Sequence, residues 1–329
     1  MSETKNNAGC FLGAIAGAAA TILGGFGLIV LLVVVASFSS GEETILPGPK
    51  IAHIDLEGLI TSAGDFGFGG TGQSMVERLK AELKQAVENK DTKAIVLRIN
   101  SPGGEVTASD TIYHAIKQAN EKKPVVVFMD SVAASGGYYA ACGATEIFAN
   151  ETTMTGSIGV IISSISYHEL LGKVGVEPQV FKSGKFKDLL SGTREMNPEE
   201  AALVQDMVME TYDKFVGIVA EARELPEADL RKDIADGRIF SGAKAKSVGL
   251  VDTTGYLEDA YDRARELGKA PEAKVWKIRS PATVFEALGM VKAKAAAAPQ
   301  NRIELDVSDR ILPRLQPGMV YLLPSTWVE

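Results

Sequence analysis

The chain of 329 residues has room for about two domains, or for one large domain with extensions. Its net charge of −8 excludes a dedicated nucleic-acid surface, because neutralising phosphates takes clustered Lys and Arg. From its two cysteines, Cys10 and Cys142, neither a disulfide framework nor a metal-ligand spacing can be built.

Residues 11–38 carry no charge and end in "GLIVLLVVVASF". The run exceeds the roughly 20 residues a helix needs to cross about 30 Å of hydrocarbon. It is also longer than the apolar region of about 7–15 residues in a cleaved signal peptide. It predicts one uncleaved transmembrane helix behind a short tail, residues 1–10. The first half, "GAIAGAAATILGGFG", reads as a weakly hydrophobic span rather than a specific dimer face. Lys5 precedes the span while Glu42 and Glu43 follow it, so the charge signal for orientation is feeble. A short tail inside and a large domain outside is the simpler arrangement. Cys10 then lies near the inner face and Cys142 outside, where they cannot pair.

Residues 39–50 are a polar linker containing Gly and Pro. After it "KIAHIDLEGLI" reads as a strand, "GDFGFGGTGQS" as a glycine-rich loop, and "MVERLKAELKQAVENK" as a helix. The buried-strand run "AIVLRI" leads into the turn "NSPGG". A helix near 107–121, the strand "PVVVFM" and a short helix at Ser135 come next. Strands are predicted at "EIFA", "SIGVIIS" and "EPQVFK", with a short helix near "YHELLGKVG" between the last two. A long helix starts at Asn197-Pro198, a favoured N-cap and first position. Beyond Gly268 the pattern loosens, and the chain ends "LQPGMVYLLPSTWVE". Alternating strands and helices of these lengths predict an α/β protein with a mostly parallel sheet.

Two features carry chemistry. In "NSPGG" the paired glycines let backbone N–H groups face a cleft, where they can hold an oxyanion; taken alone, such a turn is more often only a turn. The spacing of a dinucleotide turn and the lysine of a P-loop are both missing. In "DSVAASGGYYAACG", Ser135 stands at the head of a helix, the position of a nucleophile or of an ordinary N-cap. A base is scarce. His53 lies on a strand, His114 inside a helix and His168 at the start of another, all read as packed or surface histidines. A hydrolase elbow wants G-x-S-x-G and a late histidine, but Ala133 stands at its first glycine and no histidine follows His168. A lysine in a dry site can replace histidine. Lys182, Lys185 and Lys187 in "FKSGKFKDLL" are candidates that spacing alone does not separate, and each could be plain solvated surface.

In order, these pieces resemble the signal peptide peptidase A family, serine-lysine peptidases related to the Clp protease proteolytic subunit. The resemblance runs from "IAHIDLEGLI" to "ALGM", through "INSPGGEVTASDTIYHAI", "DSVAASGGYYAACGATEIFANETTMTGSIGV", "KSGKFKDLLSGTREMNPEE" and "GRIFSGAKAKSVGLVD", and includes the closing "PGMVYLL". It implies a crotonase/Clp-protease-like spiral over residues 51–270, with 271–329 as a C-terminal extension. It makes Ser135 the nucleophile and Lys187 the general base. Gly104 and the amide of Gly136 become the oxyanion hole, and Ser157 of "TGSIGV" orients the lysine. Val160 occupies the place of the histidine in Clp-type relatives, which agrees with a lysine base. No cofactor and no metal are implied. Implied partners are peptide substrates, chiefly cleaved signal peptides, and neighbouring copies in a homo-oligomeric ring that share the serine and lysine. The implied location is the cell membrane, single-pass, with the catalytic domain on the extracytoplasmic side. Rival expectations are a related membrane peptidase acting on misfolded membrane proteins or antimicrobial peptides, a crotonase-type acyl-CoA enzyme, and an inactive scaffold.

Overall fold

A computed structural model describes residues 48–64 and 73–278 and the backbone of Tyr321 and Leu322. The predicted anchor (11–38), the tail before it, most of the linker and most of the C-terminal extension lie outside the described residues. Among the described residues no helix is long and apolar enough to cross a membrane. All of them fall in one compact unit.

In chain order the elements are β1 (Lys50–Glu57), α1 (Met75–Glu88), β2 (Thr92–Ser101), β3 (Gly104–Glu105) and α2 (Val106–Asn120). Then come β4 (Val125–Ala134), α3 (Gly136–Ala141), β5 (Glu146–Ala149), β6 (Met154–Gly156) and α4 (His168–Lys173). The chain continues with α5 (Pro198–Arg223), α6 (Glu227–Asp233), β7 (Ile239–Ser241), α7 (Gly242–Ser247) and β8 (Thr253–Thr254). Last are α8 (Leu257–Leu267), β9 (Lys274–Lys277) and β10 (Tyr321–Leu322).

Eight strands form one sheet in the order β7-β6-β4-β2-β1-β9, with β5 branching from β4 and β8 pairing with β5. Every pairing in it is parallel except β6 with β7. The expected mostly parallel α/β architecture is therefore present. Strand β4 serves two neighbours in succession: Val126–Met129 pair with β5, whereas Val132–Ala134 pair with β6. That switch brings β6, and the residues after it, beside the end of β4.

Strand side chains alternate between two apolar layers, as the period of two requires. Ile95, Leu97 and Ile99 of β2 and Val125, Val127 and Met129 of β4 face one core with α1, α2, α3 and α5. Ala94, Val96, Val126 and Phe128 face the other, packed on Ala260 and Ala264 of α8. Burial on both faces explains why these strands read as unbroken apolar runs. Helix α1 starts with a capping box: Glu77 N–H donates to Ser74 Oγ at 3.2 Å, and Ser74 N–H to Glu77 Oε2 at 3.0 Å. Asn197 caps α5 in the same way, with Pro198 inside its first turn, as predicted. Helix α5 buries Phe215, Val216 and Val219 near its end, while Leu203, Met207 and Met209 of its first half are exposed.

Two predicted strands are not formed. "SIGVIIS" is irregular, and the strand lies just upstream as β6. Gly156 (φ 80°) and Ser157 (φ 51°) both take left-handed backbone, which ends the extended run. "EPQVFK" forms neither strand nor helix. Val180 and Phe181 there are exposed, so β-propensity has no sheet to join.

Candidate active site

The "NSPGG" turn closes β2 and runs directly into β3. Ile60 N–H donates to Gly103 O at 2.8 Å and Glu105 N–H to Ile60 O at 2.8 Å, gripping the turn from the segment after β1. A Cβ on Gly104 would lie 1.9 Å from Ile60 O, so no side chain fits there. At the head of α3 a Cβ on Gly136 would lie 2.4 Å from Ser109 Oγ and 3.1 Å from Gly104 N. Glycine at both positions thus brings the Gly104 amide against the start of α3. Below it, α3 is held by Tyr138 OH to Leu250 O at 2.8 Å and Tyr139 OH to Asp110 Oδ1 at 2.6 Å. The rings stay in the core while each hydroxyl is bonded.

Ser135 joins β4 to α3 with φ 53° and ψ −115°, a conformation disfavoured for a residue with a Cβ. It is fully buried, yet Oγ has no hydrogen-bond partner among the described residues. An N-cap serine would bond a helix amide; this one does not. Its backbone N–H donates to Gly156 O at 2.8 Å. Parallel register pairs Ala134 with Gly156, so Ser135 and Ser157 leave adjacent strands side by side. Ser157 is also buried, and its N–H donates to Arg238 O at 2.8 Å.

The titratable groups sort clearly. None of the histidines bonds Ser135. His53 lies between Asp55 Oδ1 (2.9 Å) and Tyr261 OH (2.8 Å), and burial lowers its pKa. His114 contacts Gln118 and His168 contacts Ser166, both at exposed positions. Cys142 is buried and its thiol is pushed up to about 12, so it is no nucleophile. Of the three lysines, Lys182 pairs with Asp188 at 2.6 Å and Lys185 with Glu199. Lys187 is exposed and has no ion pair among the described residues. Since Ser135 Oγ is unbonded, Lys187 and Ser135 are not hydrogen-bonded within this chain.

A cleft of about 380 Å³ opens beside Ser157, walled by Val160, Ile161, Val208, Met209 and Tyr212. Ser135 is not in its lining. Among the described residues no cluster of His, Cys, Asp or Glu is arranged to hold a metal. Sequence reasoning missed Glu105. It follows Gly104 and is buried, accepting from Thr61 Oγ1 at 2.6 Å and from Ser62 N–H at 2.9 Å. Those bonds cross more than forty positions, and no local pattern announces them.

Comparison with known proteins adds a family. The profile described as Peptidase family S49 matches residues 117–270, and the Clp protease profile matches 68–156. An Enterococcus faecium protein called "Putative signal peptide peptidase SppA" is 39% identical over 250 residues, which is 74% of this chain and 72% of that one. The chloroplastic serine protease SPPA of Arabidopsis thaliana is 37% identical over 198 residues, 60% of this chain and 29% of that one. Among solved structures, a mutant ClpP1 from Listeria monocytogenes covers 63% of this chain and 93% of its own, with TM-score 0.43 and 20% identity. An α/β chain with these matches is a serine peptidase. It belongs to peptidase family S49.

Proposed function

We propose that the chain is a membrane-anchored serine endopeptidase in which Ser135 and Lys187 form the catalytic pair. The observation that carries this reading is Ser135 itself: strained backbone, a buried hydroxyl without a partner, and the Gly104 amide packed against the residue that follows it. Unpaired buried hydroxyls are unfavourable, and strained backbone persists where function demands it. Neutral Lys187 takes the Ser135 proton as Oγ bonds to the peptide carbonyl carbon. The Gly104 and Gly136 amides donate to the oxyanion. The C–N bond then breaks, the lysinium gives its proton to the leaving amine, and water hydrolyses the acyl-serine ester, restoring both groups. Ser157, beside Ser135, orients the lysine.

The pair is completed between neighbouring protomers of a homo-oligomeric ring. Two observations favour this: Ser135 has no base bonded to it within the chain, and the segment carrying Lys187 exposes Ile165, Leu170, Val174 and Phe181. Apolar surface of that kind marks an interaction face. The edge of β3 is paired antiparallel by Tyr321 and Leu322, the way an extended peptide would add to it. The substrates are remnant signal peptides and other short apolar peptides, whose side chains suit the apolar walls beside Ser157. The membrane anchor holds the catalytic domain on the extracytoplasmic side.

The test is peptide hydrolysis by full-length wild type, Ser135→Ala and Lys187→Ala, alone and co-assembled. Each single variant is expected to lose about 10²–10⁴-fold or more in kcat while remaining folded. The mixed dead variants are expected to regain activity. Full activity in either single variant would refute the pair, and no recovery on mixing would refute its sharing between protomers.

A further inference from the structure

Residues 177–197 form neither helix nor strand, yet they carry Lys187. A relay of charged side chains holds this segment. Lys182 Nζ donates to Asp188 Oδ1 at 2.6 Å. Arg194 meets the same carboxylate with two bonds, Nε to Oδ2 at 2.9 Å and Nη2 to Oδ1 at 2.8 Å. Its Nη1 donates to Glu200 Oε2 at 2.8 Å. Glu200 is only 1% exposed, and its carboxylate also accepts from Asn197 N–H at 3.1 Å, inside the cap of α5.

We propose that Arg194 is a positioning residue for the base: with Lys182 it neutralises Asp188 and engages both of its oxygens, withholding this carboxylate from the adjacent Lys187. The inference rests on Lys187 being the base. A lysine abstracts a proton only when uncharged, and an ion pair with a carboxylate favours the charged form. Asp188 is the carboxylate next to Lys187 in sequence, and Arg194, with Lys182, holds it well below the usual carboxylate range. Glu199 is taken by Lys185 and Glu200 by Arg194. Arginine suits the task because its planar fork matches a carboxylate edge to edge and does not lose its proton. Its far side is anchored on buried Glu200, so the fork is aimed from behind by α5. The outcome is a lysine left without a carboxylate partner among the described residues, in a segment that contains four acidic residues between 188 and 200.

Full-length wild type, R194M, D188N and R194M/D188N are compared for kcat and KM on a fluorogenic apolar peptide, with Ser135 labelling by a fluorophosphonate as a second readout. R194M and the double variant leave Glu200 in the same state, so their difference reports Asp188 alone. Both are repeated with Glu200→Gln, which removes the buried charge that R194M strands. In R194M, kcat is expected to fall roughly tenfold or more with KM within about twofold, and D188N in the same chain is expected to restore most of it. A double variant as slow as R194M overturns the proposal, as does R194M turning over at the wild-type rate. Lys187→Ala serves as control. If it stays active, the base reading itself fails; if it is dead while R194M is normal, only the role of Arg194 fails.

Discussion

Replacing Ser135 should destroy turnover and, once Lys187 is removed as its partner, make the protein more stable. The hydroxyl is fully buried and has no hydrogen-bond partner among the described residues of the chain, a state that costs about 1–3 kcal/mol for a polar group. Ser135→Ala removes that group and little else, since only one oxygen's packing is lost, so a gain of about 1 kcal/mol is expected. The alanine still has a Cβ at φ 53° and ψ −115°. Ser135→Gly relieves this backbone strain, of order 1–3 kcal/mol. It gives back about 0.5–1 kcal/mol in unfolded-chain entropy. The expected order is therefore Gly at or above Ala, and Ala above Ser. Urea midpoints of the three full-length proteins, each also carrying Lys187→Ala so that no neighbouring lysine bonds the hydroxyl, and taken at one protein concentration because assembly adds to apparent stability, read the order directly. In that background an alanine variant less stable than the Ser135 chain by about 1 kcal/mol or more would refute the reasoning, since the hydroxyl would then be bonded within the folded chain.

Gly104→Ala puts a methyl carbon 1.9 Å from Ile60 O, so the turn must move. It is expected to lower kcat by about 10²-fold or more, with a reduced melting temperature, and a normal rate would separate Gly104 from the oxyanion site. Glu200 has its pKa lowered to about 2, with Arg194 the main cause, and Asp188 lies below the usual range as well. Groups depressed on folding stabilise above their unfolded pKa and lose that contribution as pH falls towards the folded one. Limited proteolysis is accordingly expected to cut residues 182–200 faster at pH 3 than at pH 7, with equal cutting counting against the ion-pair relay. Burial lowers the His53 pKa, so the folded protein resists its protonation. Urea midpoints are expected to fall as pH drops below about 6.5, with a smaller fall in His53→Gln; identical slopes would show that His53 is not the group responsible.

What can be read from sequence here is what neighbouring residues decide. The apolar runs of β2 and β4 and the Asn197-Pro198 start of α5 are set within a few positions, through the pattern of apolar side chains and through capping. Motif order then carried the family. The two strands predicted but not formed show the limit, because β-propensity makes a strand only where a sheet edge receives it. Distant contacts settled the rest. The Ala134–Gly156 register sets Ser157 beside Ser135, and Glu105 finds Thr61 and Ser62 far back in the chain. Three lysines within six positions looked equivalent on paper. Ion pairs to Asp188 and Glu199 claim Lys182 and Lys185 and leave Lys187 unclaimed among the described residues. Such partners depend on where the folded chain brings opposite charges together, and spacing along the sequence does not encode that distance.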